Sequence, residues 1–121
     1  MNKARYYFEN GYNCGEAIIM ATNEEYNLNI PISHGGVFAG GLGIGSLCGG
    51  ILGAAVVLGE VYGRKSLYER SSSKPKLLSF ISNFKKKYND LSCHELKYSG
   101  KSCSDIVEDS YEILKNELKF I

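Results

Sequence analysis

Between Gly35 and Gly59 no side chain carries a charge, and ten of the residues in that stretch are glycine. Its length would cross a bilayer as a helix. The glycines argue against that, because each weakens a helix interior by about 1 kcal/mol relative to alanine. The polar Ile32-Ser33-His34 lead-in and the lack of an aromatic belt point the same way, so no membrane span is expected. The stretch reads instead as a glycine-rich loop feeding a buried central helix. That helix begins somewhere in Phe38 to Gly45 and is continuous from Leu47 to about Tyr62. It is apolar nearly all round, as a helix buried among others must be.

The rest of the chain reads as shorter amphipathic helices. Lys3 to Asn10 ends at Gly11, a natural C-terminal stop. Cys14 to about Tyr26 places Ala17, Ile18, Ala21 and Tyr26 mostly on one face. About Pro75 to Tyr88 follows the i, i+3, i+4, i+7 rule through Leu77, Phe80, Ile81, Phe84 and Tyr88, with Pro75 suited to the first turn. Cys93 to Tyr98 is short and stops at Gly100. Cys103 to about Lys119 turns Ile106, Val107, Ser110, Ile113, Leu114 and Leu118 inward. No segment alternates with period two, so strands are not expected. With 121 residues, 44% of them hydrophobic, the chain is one domain's worth of globular protein. The expectation is an all-α fold: a compact single-domain bundle of about five to six helices over residues 1–121, packed around the glycine-rich one.

Four cysteines, Cys14, Cys48, Cys93 and Cys103, each sit in a helix-start context. Asn13-Cys14-Gly15-Glu16 and Ser92-Cys93-His94-Glu95 have the spacing of a capping box. Ser102-Cys103-Ser104-Asp105 is a variant with aspartate in the third place. Ser46 is placed to cap a helix that holds Cys48 in its first turn. Free N–H groups and the helix dipole favour an anion there, so a thiol in that position is expected to ionise more easily. Glu16, Glu95 and Asp105 are read as caps before proton carriers. A lone buried cysteine is often only filler. Four in the same local setting point to chemistry.

The first residues, Met1 to Glu9, contain no apolar secretion core. The expected compartment is therefore the reducing cytoplasm, where cysteines are more often catalytic or metal-binding than structural. The glycine run does not read as a nucleotide site: no lysine follows it as in a P-loop, and no strand precedes it as in a dinucleotide fold. Two roles remain for it. Gly45, Gly49 and Gly53 would line one helix face if the helix starts early, allowing close helix approach. Bare backbone beside Cys48 would also turn N–H groups toward sulfur.

Taken together, Phe8-Glu9-Asn10-Gly11-Tyr12-Asn13-Cys14, the glycine run, Cys48-Gly49-Gly50-Ile51-Leu52-Gly53, Cys93 and Cys103 resemble the redox-active C-GCAxxG-C-C family. Gly50 stands where that family usually has alanine, a change expected to loosen the helix without loss of function. The resemblance implies a soluble bacterial or other prokaryotic redox protein. Some relatives look like selenoproteins, which favours thiol chemistry. Others resemble domains of electron-transfer proteins proposed to hold an iron–sulfur centre.

Three functions compete. The first is electron transfer through an iron–sulfur cluster held by Cys14, Cys48, Cys93 and Cys103. Its weakness is the spacing of 34, 45 and 10 residues, against the tight pairs of familiar cluster motifs; a zinc site suffers in the same way. The second is a metal-free thiol–disulfide oxidoreductase that pairs Cys93 with Cys103 and Cys14 with Cys48, aided by His94. The supporting residues in either case are Asn13, Gly15, Ser46, Gly49, Gly53 and His94. The third is a non-redox binding module. Arg64 to Lys87 carries eight basic residues and one acid, Glu69. Such a run is more often a solvated helix face, and no nucleic-acid partner is expected. His34 is a loop histidine without a defined role, and only His34 and His94 exist to build any Ser-His-Asp arrangement. A redox partner is implied but not named by the sequence. A homodimer packed through the glycine face is a candidate assembly.

Overall fold

The structure, a computed structural model, describes residues 1–119. The protein is all-α. Helix α1 spans Lys3–Glu9, α2 Cys14–Tyr26, α3 Gly49–Tyr62, α4 Ser73–Tyr88, α5 Cys93–Tyr98 and α6 Cys103–Glu117. A single 3₁₀ turn, Ile32–Gly35, and a glycine turn, Gly41–Gly45, fill the connection between α2 and α3. No described helix is long and apolar enough to cross a membrane.

α3 is the hub, packing against α2, α4 and α6. Its buried side carries Ile51, Ala54, Val57 and Leu58 together with Gly49, Gly50 and Gly53. A Cβ on Gly53 would stand 2.9 Å from the Gly15 carbonyl oxygen and 3.0 Å from the Ile18 side chain. Bare backbone here brings α3 close against α2 within one chain. Gly49 and Gly53 thus face α2 within the chain.

The amphipathic readings of the flanking helices carry over. α4 buries Phe80 and Phe84, whose rings stack at 6.2 Å, and Leu77, Ile81 and Tyr88 pack beside them. α6 buries Ile106, Val107, Ser110, Ile113 and Leu114, and Leu118 follows just past its end. It also buries Tyr111, which the apolar pattern did not single out. The Tyr111 hydroxyl donates to the Ala21 carbonyl at 3.1 Å, tying α6 to α2 across the core. Arg5 joins α1 to α6 by ion pairs with Asp105 at 2.7 Å and Glu108 at 3.1 Å.

The central helix differs at its start. Gly41–Gly45 is not helical backbone: Gly40, Gly41, Leu42, Gly43 and Gly45 all have left-handed φ values. This is the conformation glycine adopts at least cost, and five such residues within six cannot sit in a right-handed helix. α3 therefore begins at Gly49, and Gly45 is not on its face.

Candidate redox site

α2, α5 and α6 each begin with a cysteine: Cys14, Cys93 and Cys103. The caps expected from the sequence form. The Asn13 side-chain oxygen accepts from the Glu16 amide at 2.8 Å, and the Glu16 carboxylate accepts from the Asn13 amide at 2.9 Å. Asn13 Nδ2 also donates to the Gly35 carbonyl at 3.0 Å, anchoring the 3₁₀ turn. Ser92 Oγ and Ser102 Oγ accept from the Glu95 and Asp105 amides, each at 3.0 Å. The Asp105 carboxylate is turned to Arg5.

Cys48 departs from expectation. It is itself the N-cap of α3, in extended backbone, and Ser46 does not cap it. Ser46 acts through its main chain. Its amide donates to the Gly41 carbonyl at 2.9 Å, and its carbonyl accepts from the Cys93 amide at 2.6 Å. The Cys48 amide donates to the Leu91 carbonyl at 2.9 Å, and between these bonds Leu47 and Ser92 form an isolated antiparallel bridge. Neighbours of a bridged pair point to the opposite face from it. The bridge therefore sends Cys48 and Cys93 to one side as a diagonal pair.

All four cysteines line one cavity of about 180 Å³, with Asn13 and Gly49 beside them. Apolar walls come from Phe8, Leu96, Ile106 and Val107, and Lys97 adds a cation. The thiols are free. Cys48 and Cys93 are buried, at 6% and 8% exposure, while Cys14 and Cys103 are half-buried. Gly49 is a cradle for Cys14, since a Cβ there would overlap its sulfur. Gly15 is needed on the other side, where a Cβ would lie 2.5 Å from the Phe38 ring. Among the described residues no group of three or more His, Cys, Asp or Glu is placed to hold a metal ion.

The sequence of one family, described as "Putative redox-active protein (C_GCAxxG_C_C)", matches residues 12–117. The chain belongs to this family. The span matched holds all four cysteines and every cavity residue except Phe8. No curated protein and no solved structure matches the chain. This C-GCAxxG-C-C protein is thus redox-active in class, with its cysteines gathered at one place.

The electrostatics reverse one expectation. Burial pushes the Cys48 thiol up to about 11; the Gly50 and Ile51 amides pull the other way and do not win, and Cys14 and Cys93 add to the rise. Burial likewise raises Cys14 against the amides of Cys14 and Gly15. A helix terminus contributes roughly 0.3–1 kcal/mol, less than one pKa unit, whereas full burial can shift a group by about 3–5 units. Desolvation therefore outweighs the dipole at these two sulfurs.

Other sequence candidates fall outside the cavity. His94 is exposed and stacks on Tyr98, with its Cβ against Gly45 rather than toward the sulfurs. His34 is exposed in the 3₁₀ turn. Lys85, Lys86 and Lys87 are exposed on α4 and take no part in the cavity wall. Sequence reasoning missed Lys97 and the apolar walls. Lys97 lies four residues after Cys93, one helical turn along the same face, which was the available signal.

Proposed function

We propose that this protein works by thiol–disulfide exchange at the four-cysteine cavity, with Cys14 and Cys103 as an outer pair and Cys48 and Cys93 as an inner pair. The observation that carries this reading is the convergence of four free thiols on one cavity, two of them half-buried and two buried. Exchange requires an accessible attacking sulfur and a resolving partner. Cys103 is accessible and heads a helix of fifteen residues. Cys14 is also accessible, but burial holds its proton, which suits the resolving role.

With a small disulfide as substrate, the Cys103 thiolate attacks one sulfur and the substrate S–S bond breaks. The first product leaves as a thiolate and takes up the proton that Cys103 lost. Cys14 then attacks the Cys103 sulfur of the mixed disulfide and releases the second product thiol, its own proton balancing that product. One substrate disulfide becomes two thiols, and Cys14 and Cys103 become a disulfide. The inner dithiol can reduce that disulfide by the same chemistry, through Cys48 attacking Cys14 and Cys93 resolving. A diagonal pair lies about 7–8 Å apart, beyond the usual Cα span of a disulfide, so closing Cys48 to Cys93 requires their two turns to draw together.

Reduced protein titrated with oxidised glutathione, followed by non-reducing peptide mapping, tests the assignment. A Cys14–Cys103 disulfide is expected before a Cys48–Cys93 one, and Cys103→Ser is expected to slow exchange by tenfold or more. Exchange by Cys103→Ser at the wild-type rate would sink the reading.

A second reading, an iron–sulfur cluster for electron transfer, is favoured by one feature: a dithiol needs two cysteines, yet four helix starts face this cavity. Four sulfurs beside helix amides are a suitable donor set by kind and number. Their spacing is not that of a ready metal site. Iron and acid-labile sulfide in anaerobically purified protein, with visible absorption, would favour the cluster. Four titratable thiols without iron would favour exchange.

A further inference from the structure

Ser110 is the one described residue with a fully buried side-chain polar atom that lacks any hydrogen-bond partner. Its side chain is 0% exposed. Leaving a buried hydroxyl unpaired is a net cost to the fold. A helical serine normally avoids this by bonding back to the carbonyl four residues earlier, here Ile106. Ser110 Oγ does not.

Its surroundings are specific. Ser110 continues the α6 face that begins with Cys103, Ile106 and Val107, the three α6 residues of the cavity wall. It sits one turn beyond Ile106 and Val107 and two beyond Cys103, directly over Gly50. A Cβ on Gly50 would stand 2.5 Å from Ser110 Oγ and 3.7 Å from Cys48 Sγ. The hydroxyl and the sulfur therefore border the same small space, which exists because Gly50 has no side chain.

We infer that Ser110 is a positioning residue for Cys48, its O–H held behind the cavity to donate a hydrogen bond to the Cys48 sulfur whenever that sulfur carries negative charge. In the resting dithiol Cys48 Sγ is not in hydrogen-bond geometry with Ser110 Oγ, and a protonated thiol, a weak acceptor, does not draw the hydroxyl across the space above Gly50. When Cys48 becomes an anion, in exchange or as a leaving group, the bond forms and is charge-assisted. No proton is transferred; Ser110 keeps its hydrogen throughout. The inference rests on Cys48 reacting as an anion and does not require the pairing proposed above.

The test is alkylation of the reduced full-length chain by iodoacetamide at one fixed pH, with each cysteine followed separately by peptide mass spectrometry. It compares wild type, Ser110→Ala and Ser110→Thr. A hydrogen bond to a charged group is worth roughly tenfold in anion population. A more stabilised anion is also less nucleophilic, by about half of that on a logarithmic scale. Cys48 in Ser110→Ala is therefore expected to react about threefold more slowly. Cys14, Cys93 and Cys103 should stay within error, and Ser110→Thr, which keeps the hydroxyl, should restore the rate. Ser110→Ala should melt no lower than wild type, because it removes an unpaired buried group. An unchanged Cys48 rate in Ser110→Ala, an equal slowing of all four cysteines, or a Ser110→Thr variant as slow as Ser110→Ala would each overturn the inference. Alkylation needs no disulfide substrate, so failure of glutathione exchange leaves this result readable on its own.

Discussion

At the scale of single residues, burial sets the state of two of the sulfurs, Cys14 and Cys48. The Cys48 thiol, pushed up to about 11 from an ordinary 9.0, holds its proton more tightly in the folded chain than in the unfolded one. Its contribution to stability is therefore complete below about pH 9 and is lost as pH rises toward 11. The melting temperature of the reduced protein is expected to fall across that interval, and Cys48→Ala should show a shallower fall; parallel curves would contradict the assignment. Cys14, raised in the same direction, adds to the slope. Gly49 gives a second prediction at this scale. Its missing side chain is the space that Cys14 Sγ fills. Gly49→Ala should cost about 1–3 kcal/mol by overpacking, read from urea unfolding, and should change the alkylation rate of Cys14 before that of Cys103.

At the scale of elements, caps and turns aim the cysteines. Asn13 closes a reciprocal cap on α2 and also holds the Gly35 carbonyl. Asn13→Ala is expected to destabilise the protein by about 1–2 kcal/mol in urea unfolding, because the N-cap of α2 and the bond to the carbonyl of the buried Gly35 are lost together. The glycine turn is the more sensitive element. Gly41 has φ +62, and a Cβ there would lie 2.6 Å from the Ser46 amide nitrogen and 2.7 Å from the Cys93 Cβ. Gly41→Ala combines left-handed strain with a clash against the strands of backbone that join Cys48 to Cys93. A loss of more than about 1 kcal/mol follows, accompanied by faster alkylation of Cys93 as the bridge at Leu47 and Ser92 loosens. A stable variant with native Cys93 reactivity would show that the turn does not hold the inner pair.

At the scale of the whole molecule, the cavity exists because α2 and α6 dock on the hub helix α3 while α5 packs on the glycine turn that precedes it. α6 is attached to α1 by Arg5, to α2 by Tyr111 and to α4 by a bond from the Ser79 hydroxyl to Glu117 at 2.7 Å. α4 closes the opposite side of the core through Phe80 and Phe84. Phe84→Ala, which takes no part in the cavity wall, should cost about 3–5 kcal/mol in a single cooperative transition. Near its midpoint all four thiols should become reactive together. Sequential exposure of the cysteines would mean that the site is held locally and not by the bundle.

The sequence by itself determined the helices and most of their inward faces, because periodicity, Asn13, Ser92, Ser102 and the stops after α1 and α5 are local signals. It also determined that Cys14, Cys93 and Cys103 begin helices. The start of α3 lay beyond it: charge-free glycine suits a buried helix and a left-handed turn equally, and only packing against Cys93, Ser46 and α2 chose the turn for Gly41–Gly45 and the helix for Gly49 onward. The convergence of four sulfurs on one cavity, the displacement of His94 to the outside and the exposed setting of the basic run on α4 were likewise tertiary outcomes, because they depend on how helices far apart in the chain are laid side by side. So was the ionisation of Cys14 and Cys48. The helix dipole can be read from a motif, but the loss of water around a sulfur is known only once its neighbours are in place.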